Sequence, residues 1–301
     1  MLVEDLVWSA TPTPFLADGS LDDSGLERVV EQHRRVGVRG LFLGGTCGEG
    51  PFMPNDQRAK LVRKIRRIGG RELHLAVQVS DTSAARVREN MAQAIDAGAD
   101  SVVIAAPWLR PFVNRQFARR YFFEAVETPC AVPIGIYILP QPPETGIDLE
   151  LWRDVAQHPR VTYVKDSLDT DDCRRMLLSV KSRRSDLAVR TGYEFDVLTP
   201  LRAGYDGCLL GTAILTGGLI ARAASALVSG DVESARLWQA RSNQLLYDLF
   251  RPDLSGWLAG LKYALCRMGI FNTEYSHLAY PLEDGDRQRI DAALQREREY
   301  L

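Results

Sequence analysis

A single lysine closes an otherwise apolar run in Val161-Thr162-Tyr163-Val164-Lys165-Asp166-Ser167. Lysine is almost never buried without a chemical reason. An amine withdrawn from water gives up its proton more readily, and the free amine adds to a carbonyl to form a Schiff base. The structural alternative is that Lys165 reaches water along its own stem or pairs with the adjacent Asp166. Tyr137 ends a second run, Ile134-Gly135-Ile136-Tyr137, 28 residues earlier. A phenol beside such an amine can carry protons to and from a carbinolamine or an enamine, although strand tyrosines also serve as packing groups. A third run ends in Gly44-Gly45-Thr46-Cys47-Gly48-Glu49-Gly50. There the glycines let backbone N–H groups turn toward a small anion such as a carboxylate, and Thr46 adds a hydroxyl. An ordinary glycine-rich turn would look the same.

Groups of this kind need elements that carry them to one place. Strand-like apolar runs recur at Leu6–Ala10, Leu41–Gly45, His74–Val79, Ser101–Ile104, Ile134–Tyr137, Val161–Lys165, Leu187–Arg190 and Gly207–Leu210, their starts 20 to 35 residues apart. Segments of helical period lie between them, among them Ala84–Ala97, Leu149–Ala156, Met176–Val180, Phe195–Leu201 and Leu219–Leu227. Eight alternations predict a (β/α)8 barrel over residues 1–229, with reactive groups at the C-terminal ends of the strands. Residues 230–301 hold only helical patterns and predict a C-terminal helical extension. A doubly wound sheet also alternates strands and helices, but no G-x-G-x-x-G follows an early strand. Gly45–Gly50 continues into Pro51 and not into the Lys-Ser/Thr of a P-loop.

With 46% apolar and 25% charged residues, the chain of 301 residues can bury a large core. Its 37 basic and 39 acidic residues leave a net charge of −2, which gives no general attraction to nucleic acid or to an anionic membrane. Met1–Asp5 carries acids where a secretory signal carries cations, and no stretch is apolar enough to span a bilayer, so a cytosolic protein is expected. Five scattered cysteines form no C-x-x-C pair and read as reduced thiols, and the four histidines show no metal-ligand spacing.

Taken in order, Gly-Thr-x-Gly-Glu after strand two, Tyr-x-x-Pro after strand five and Lys-Asp-Ser after strand six resemble the dihydrodipicolinate synthase and N-acetylneuraminate lyase family of class I aldolases. The resemblance extends to Thr13-Pro14-Phe15, Gly98-Ala99-Asp100, Gly207 and Gly260-Leu261-Lys262-Tyr263-Ala264-Leu265. It implies that Lys165 forms a Schiff base with pyruvate or a longer 2-oxo acid, with no other cofactor, and that Tyr137 shuttles protons. Thr46, Cys47 and Gly48 would hold the 2-oxo acid's carboxylate, with Cys47 standing where many relatives have Thr or Ser. It also implies a homo-oligomer, dimer or tetramer.

Two departures bear on the substrate. Dihydrodipicolinate synthases follow the tyrosine strand with Ser-Arg-Thr-Gly, whose arginine grips a distal carboxylate, whereas this chain reads Pro140-Gln141-Pro142-Pro143-Glu144-Thr145-Gly146. Leu109 stands near the place of their interface tyrosine. These features imply an aldolase for a 2-oxo-3-deoxy sugar acid, with Glu144 and Arg110 facing the aldehyde half and Tyr193, Glu194, Gly211 and Thr212 as further wall residues. The alternatives are a dehydratase using the same enamine, dihydrodipicolinate synthase itself, or a catalytically quiet paralogue that binds a 2-oxo acid.

Overall fold

The computed structural model describes residues 6–278 and 280–301, so the acidic start Met1–Asp5 lies outside the described residues. Eight strands run as β1 (Val7–Ala10), β2 (Gly40–Leu43), β3 (His74–Gln78), β4 (Ser101–Ala105), β5 (Ile134–Ile138), β6 (Val161–Asp166), β7 (Ala188–Thr191) and β8 (Gly207–Leu210). Each pairs in parallel with the next, and β8 closes on β1, which makes the predicted (β/α)8 barrel. The helices between them are α1 (Asp23–Arg35), α2 (Asn55–Gly69), α3 (Ala84–Asp96), α4 (Arg115–Val126), α5 (Leu149–Ala156), α6 (Asp171–Lys181), α7 (Leu198–Ala203) and α8 (Ala213–Val228). They are followed by α9 (Val232–Phe250), α10 (Ala259–Arg267) and α11 (Asp284–Glu297).

Several boundaries differ from the sequence expectation, and two of the differences have clear local reasons. The second strand stops at Leu43 because Gly44 takes a left-handed φ of 66° that turns the chain out of the sheet. The sixth helix begins at Asp171, well before its apolar period, because the Thr170 side chain caps Cys173 N at 3.2 Å and Asp171 and Asp172 complement the helix dipole.

Residues two apart on a strand share a face, so each strand sends alternate side chains into the barrel. The interior cluster contains Ala10, Phe42, Ala76, Val103, Ala105, Tyr137, Tyr163 and Leu209. Large and small residues interlock on its floor: a methyl group on Gly40, Gly135 or Gly207 would overlap the side chain of Trp8, Tyr163 or Arg190 respectively. Outside the strands a second apolar layer packs the strands against the helices. A third cluster joins α9, α10 and α11 to Ile214, Leu215 and Leu219 of α8 and to Val29 of α1. None of the helices among the described residues is long and apolar enough to cross a membrane.

Candidate active site

The parallel register of β5 and β6 sets Tyr137 opposite Lys165. Both point into the barrel at its C-terminal end, since Lys165 shares parity with Tyr163. Lys165 is 4% exposed. Its Nζ lies 4.4 Å from the centroid of the Tyr137 ring and 5.4 Å from that of Phe42, and the two rings meet edge to face. The pairing of Lys165 with Asp166, weighed as the structural alternative, is not made. Asp166 falls on the opposite face of β6, where its carboxylate accepts from Tyr205 Oη at 2.7 Å, Leu168 N at 3.0 Å and Cys173 Sγ at 3.4 Å. That carboxylate is fully engaged in anchoring the strand end. Burial and the same carboxylate push both the Tyr205 phenol and the Cys173 thiol upward.

Gly192, just beyond β7, leaves room for the lysine stem: a methyl group there would lie 2.7 Å from Lys165 Cε. Glu194 follows on the same loop. Its carboxylate accepts from Gly211 N at 2.8 Å, from Thr212 N at 3.2 Å and from the Thr212 hydroxyl. Burial raises the Glu194 carboxyl, while Thr212, the Lys165 ammonium and the Gly211 amide pull it down. Cys47 is buried against the same glycine, since a methyl group at Gly211 would overlap its Sγ. Burial pushes the Cys47 thiol up to about 12, with Lys165 drawing it down and Glu194 and Glu49 opposing. Cys47 therefore stands as a neutral thiol and not as a thiolate nucleophile. Lys165, Tyr137, Cys47, Glu194, Gly211 and Thr212 thus gather around the barrel mouth.

A cleft of about 360 Å³ opens at the ends of β2 to β5, lined by Thr46, Pro51, Phe52, Gln78, Ala105, Ala106, Trp108, Arg110, Leu139 and Gln141. Ala105 joins it to the Lys165–Tyr137 cluster, for it pairs in register with Tyr137. Of the predicted aldehyde-side residues, Arg110 lines this cleft and Glu144 does not. Glu144 stands exposed on the 3-10 turn Pro143–Thr145, which Thr145 ties back through its hydroxyl to Pro142 O at 2.7 Å, so the loop presents Gln141 to the cleft instead. Tyr193 is 39% exposed and packs on Phe195 away from the cleft lining. Gly48 sits behind Thr46, where its carbonyl accepts from Thr13 Oγ1 at 2.8 Å.

The sequence reading missed the partner of Glu49. This carboxylate is fully buried in an ion pair with Lys262 of α10, itself fully buried. Ser276 Oγ and His277 N donate to Glu49 at 2.8 and 2.7 Å, and Lys262 Nζ donates to Tyr275 O at 2.6 Å while lying 4.6 Å from the Phe15 ring centroid. Burial lowers the Lys262 ammonium and Glu49 supports it. The C-terminal segment thereby fastens the loop that carries Thr46 and Cys47. Both residues occur in the quoted motifs, but nothing in their spacing indicates that they meet. The described residues contain no cluster of three or more His, Cys, Asp or Glu able to hold a metal ion.

An eight-stranded barrel with a buried lysine opposite a tyrosine at its C-terminal mouth is the arrangement that a lysine-dependent lyase of the class I aldolase type requires. The pattern of the dihydrodipicolinate synthetase family matches residues 5–297, and the chain belongs to that family. The 4-hydroxy-tetrahydrodipicolinate synthase of Chlorobaculum parvum is 27% identical over 290 residues, 95% of each chain. Among solved structures, a prophage protein of the dihydrodipicolinic acid synthase family from E. coli K12, in complex with pyruvate, superposes with a TM-score of 0.81 at 23% identity over 97% of both chains. N-acetylneuraminate lyase from Mycoplasma synoviae gives a TM-score of 0.82 at 17% identity over 96% of both. Members of the family are lyases that form a Schiff base between a lysine and pyruvate without a metal cofactor.

Proposed function

We propose that the chain is an aldolase that cleaves or forms a 2-oxo-3-deoxy sugar acid, with Lys165 as the Schiff-base nucleophile and pyruvate as the common product or substrate. The observation that carries this reading is the Lys165 amine, 4% exposed, held 4.4 Å from the Tyr137 ring centroid at the barrel mouth. The amine adds to the C2 ketone, and loss of water gives an iminium. Removal of the C4 hydroxyl proton breaks the C3–C4 bond, the bonding pair drains into nitrogen to form the enamine, and the aldehyde leaves. Protonation at C3 and hydrolysis then release pyruvate and regenerate the amine. Tyr137 moves the protons, and Thr46 and the Thr46–Gly48 backbone receive the carboxylate. Arg110 supplies the cleft's cation, and Glu194, tied to Gly211 and Thr212, supports the wall beside Cys47.

The loop after β5 supports a hydroxylated partner over one with a second carboxylate, because Gln141 stands in the cleft and the loop carries no arginine. Exposed Leu109 and Phe112, 55% and 77% accessible, support association of copies through the loop after β4. Five free thiols suit a reducing compartment such as the cytosol. The test is product analysis with 2-oxo-3-deoxygluconate and related acids. Pyruvate formed in equal amount with an aldehyde supports the reading. Water loss without pyruvate would replace it with a dehydratase, and turnover of pyruvate with aspartate semialdehyde alone would replace it with dihydrodipicolinate synthase.

A further inference from the structure

Gln78 is the last residue of β3 and is 3% exposed. It shares parity with Ala76 of the barrel interior, and its side chain lines the cleft beside Thr46. Its amide oxygen Oε1 is buried without a hydrogen-bond partner among the described residues. Gln141, on the opposite side of the same cleft, also buries an Oε1 without such a partner, while its Nε2 donates to Leu139 O at 3.3 Å. An acceptor left unpaired in a protein interior is costly to the fold. Two such acceptors, on residues that both line one cleft, have no partner in the fold among the described residues, and a ligand seated there that brings donors would supply one.

From these oxygens we infer that Gln78 and Gln141 read hydroxyl groups of the aldehyde half of the substrate, so that the enzyme selects a polyhydroxylated aldehyde over its deoxy counterpart. The inference rests on the aldolase reading above and adds the residues that choose the aldehyde. A carboxamide oxygen accepts only from O–H or N–H groups, which excludes a second carboxylate as its partner and fits sugar hydroxyls. Gln78 stands three strands from Lys165, about 14 Å along the barrel wall at the usual strand spacing. Both side chains extend inward from there, which leaves a chain bound through C2 to Lys165 a path toward Gln78. The half-buried Trp108 offers a flat apolar surface for the C–H face of such a chain.

The experiment measures aldol addition of pyruvate to glyceraldehyde and to erythrose, against propanal as the deoxy control. It uses the full-length wild type, Gln78→Leu and Gln141→Leu, with borohydride trapping of pyruvate run in parallel. The wild type is expected to favour the hydroxyaldehydes in kcat/KM. Gln78→Leu is expected to lose about 10- to 100-fold of that preference with propanal addition and pyruvate trapping preserved, and Gln141→Leu to lose a smaller part. Gln141 is the second variant should Gln78→Leu fail to fold. An unchanged hydroxyaldehyde-to-propanal ratio in the folded variants would overturn the inference, as would a wild type that takes propanal as well as glyceraldehyde or turns over neither hydroxyaldehyde while forming the pyruvate adduct. Absence of the pyruvate adduct from the wild type would instead overturn the aldolase reading itself, and this inference with it.

Discussion

Substituting Gly192 by alanine should disable the enzyme without unfolding it. The added methyl would lie 2.7 Å from Lys165 Cε and 3.3 Å from the Asp166 carbonyl, where ordinary contact begins at 3.4 Å. It would also overlap the Ser167 hydroxyl, which can rotate aside. The lysine stem cannot, because the Tyr137 and Phe42 rings stand near its amine. Cε must therefore shift by about 0.7 Å, beyond the ~0.5 Å within which a catalytic constellation stays productive. A misplacement of that order costs about 100-fold in rate. Crowding at one strand end costs the fold about 1–3 kcal/mol. The assay follows kcat for pyruvate release together with the rate of borohydride trapping, and a urea midpoint confirms folding. Both rates should fall in parallel by about 100-fold. The variant Ser167→Ala/Gly192→Ala separates the two clashes: recovery would assign the defect to the serine, whereas the lysine account predicts none. A folded Gly192→Ala enzyme with wild-type kcat would refute the reasoning, since Lys165 would then not be the group whose position sets the rate.

Other perturbations test separate parts of the account. Tyr137→Phe should lower kcat about 10²- to 10⁴-fold while leaving the borohydride adduct with pyruvate detectable, because proton transfer and not binding is removed; equal loss of trapping would contradict the role. Glu49→Gln strands the fully buried Lys262 ammonium and should cost about 3–5 kcal/mol in a urea titration, with Glu49→Gln/Lys262→Met recovering part of it; additive losses would show that the pair is not coupled. Burial lowers His33 from its ordinary 6.5 to about 4, its ring donating from Nδ1 to Val29 O at 2.7 Å, so the native form is neutral. The unfolded chain takes up a proton below about 6.5, so this contribution to stability is complete above that pH and is lost as pH falls toward 4, in total roughly 3 kcal/mol. Urea midpoints of the wild type and His33→Leu at pH 7.5 and 4.5 should show a smaller acid-induced drop in the variant, and equal drops would contradict it.

Much of this architecture was legible in the sequence. Eight apolar runs at regular spacing allow few other folds, and the placement of Lys165 and Tyr137 at strand ends follows from each residue closing its own run. Parallel register does the rest by setting the two side by side. The features hidden in the sequence depend on contacts between distant segments. Glu49 and Lys262 are apart in sequence and meet only because α10 folds back over the mouth of the barrel. Gln78 looks like an ordinary polar end to His74–Gln78, and its role rests on a cleft that β2, β4 and β5 help to build. The charge of Glu144 points to a substrate contact, but the 3-10 turn at Pro143 sends the side chain outward and leaves Gln141 inside. Strand ends are dictated locally, whereas loop orientation is not.

The central claim is that Lys165 is the nucleophile toward a 2-oxo acid. Borohydride reduction in the presence of pyruvate, followed by peptide mass mapping of wild type and Lys165→Ala, tests it most directly. The account predicts a reduced pyruvate adduct on the peptide carrying Lys165 and none in the variant; folded wild type without an adduct, or with the adduct on another lysine, would contradict it.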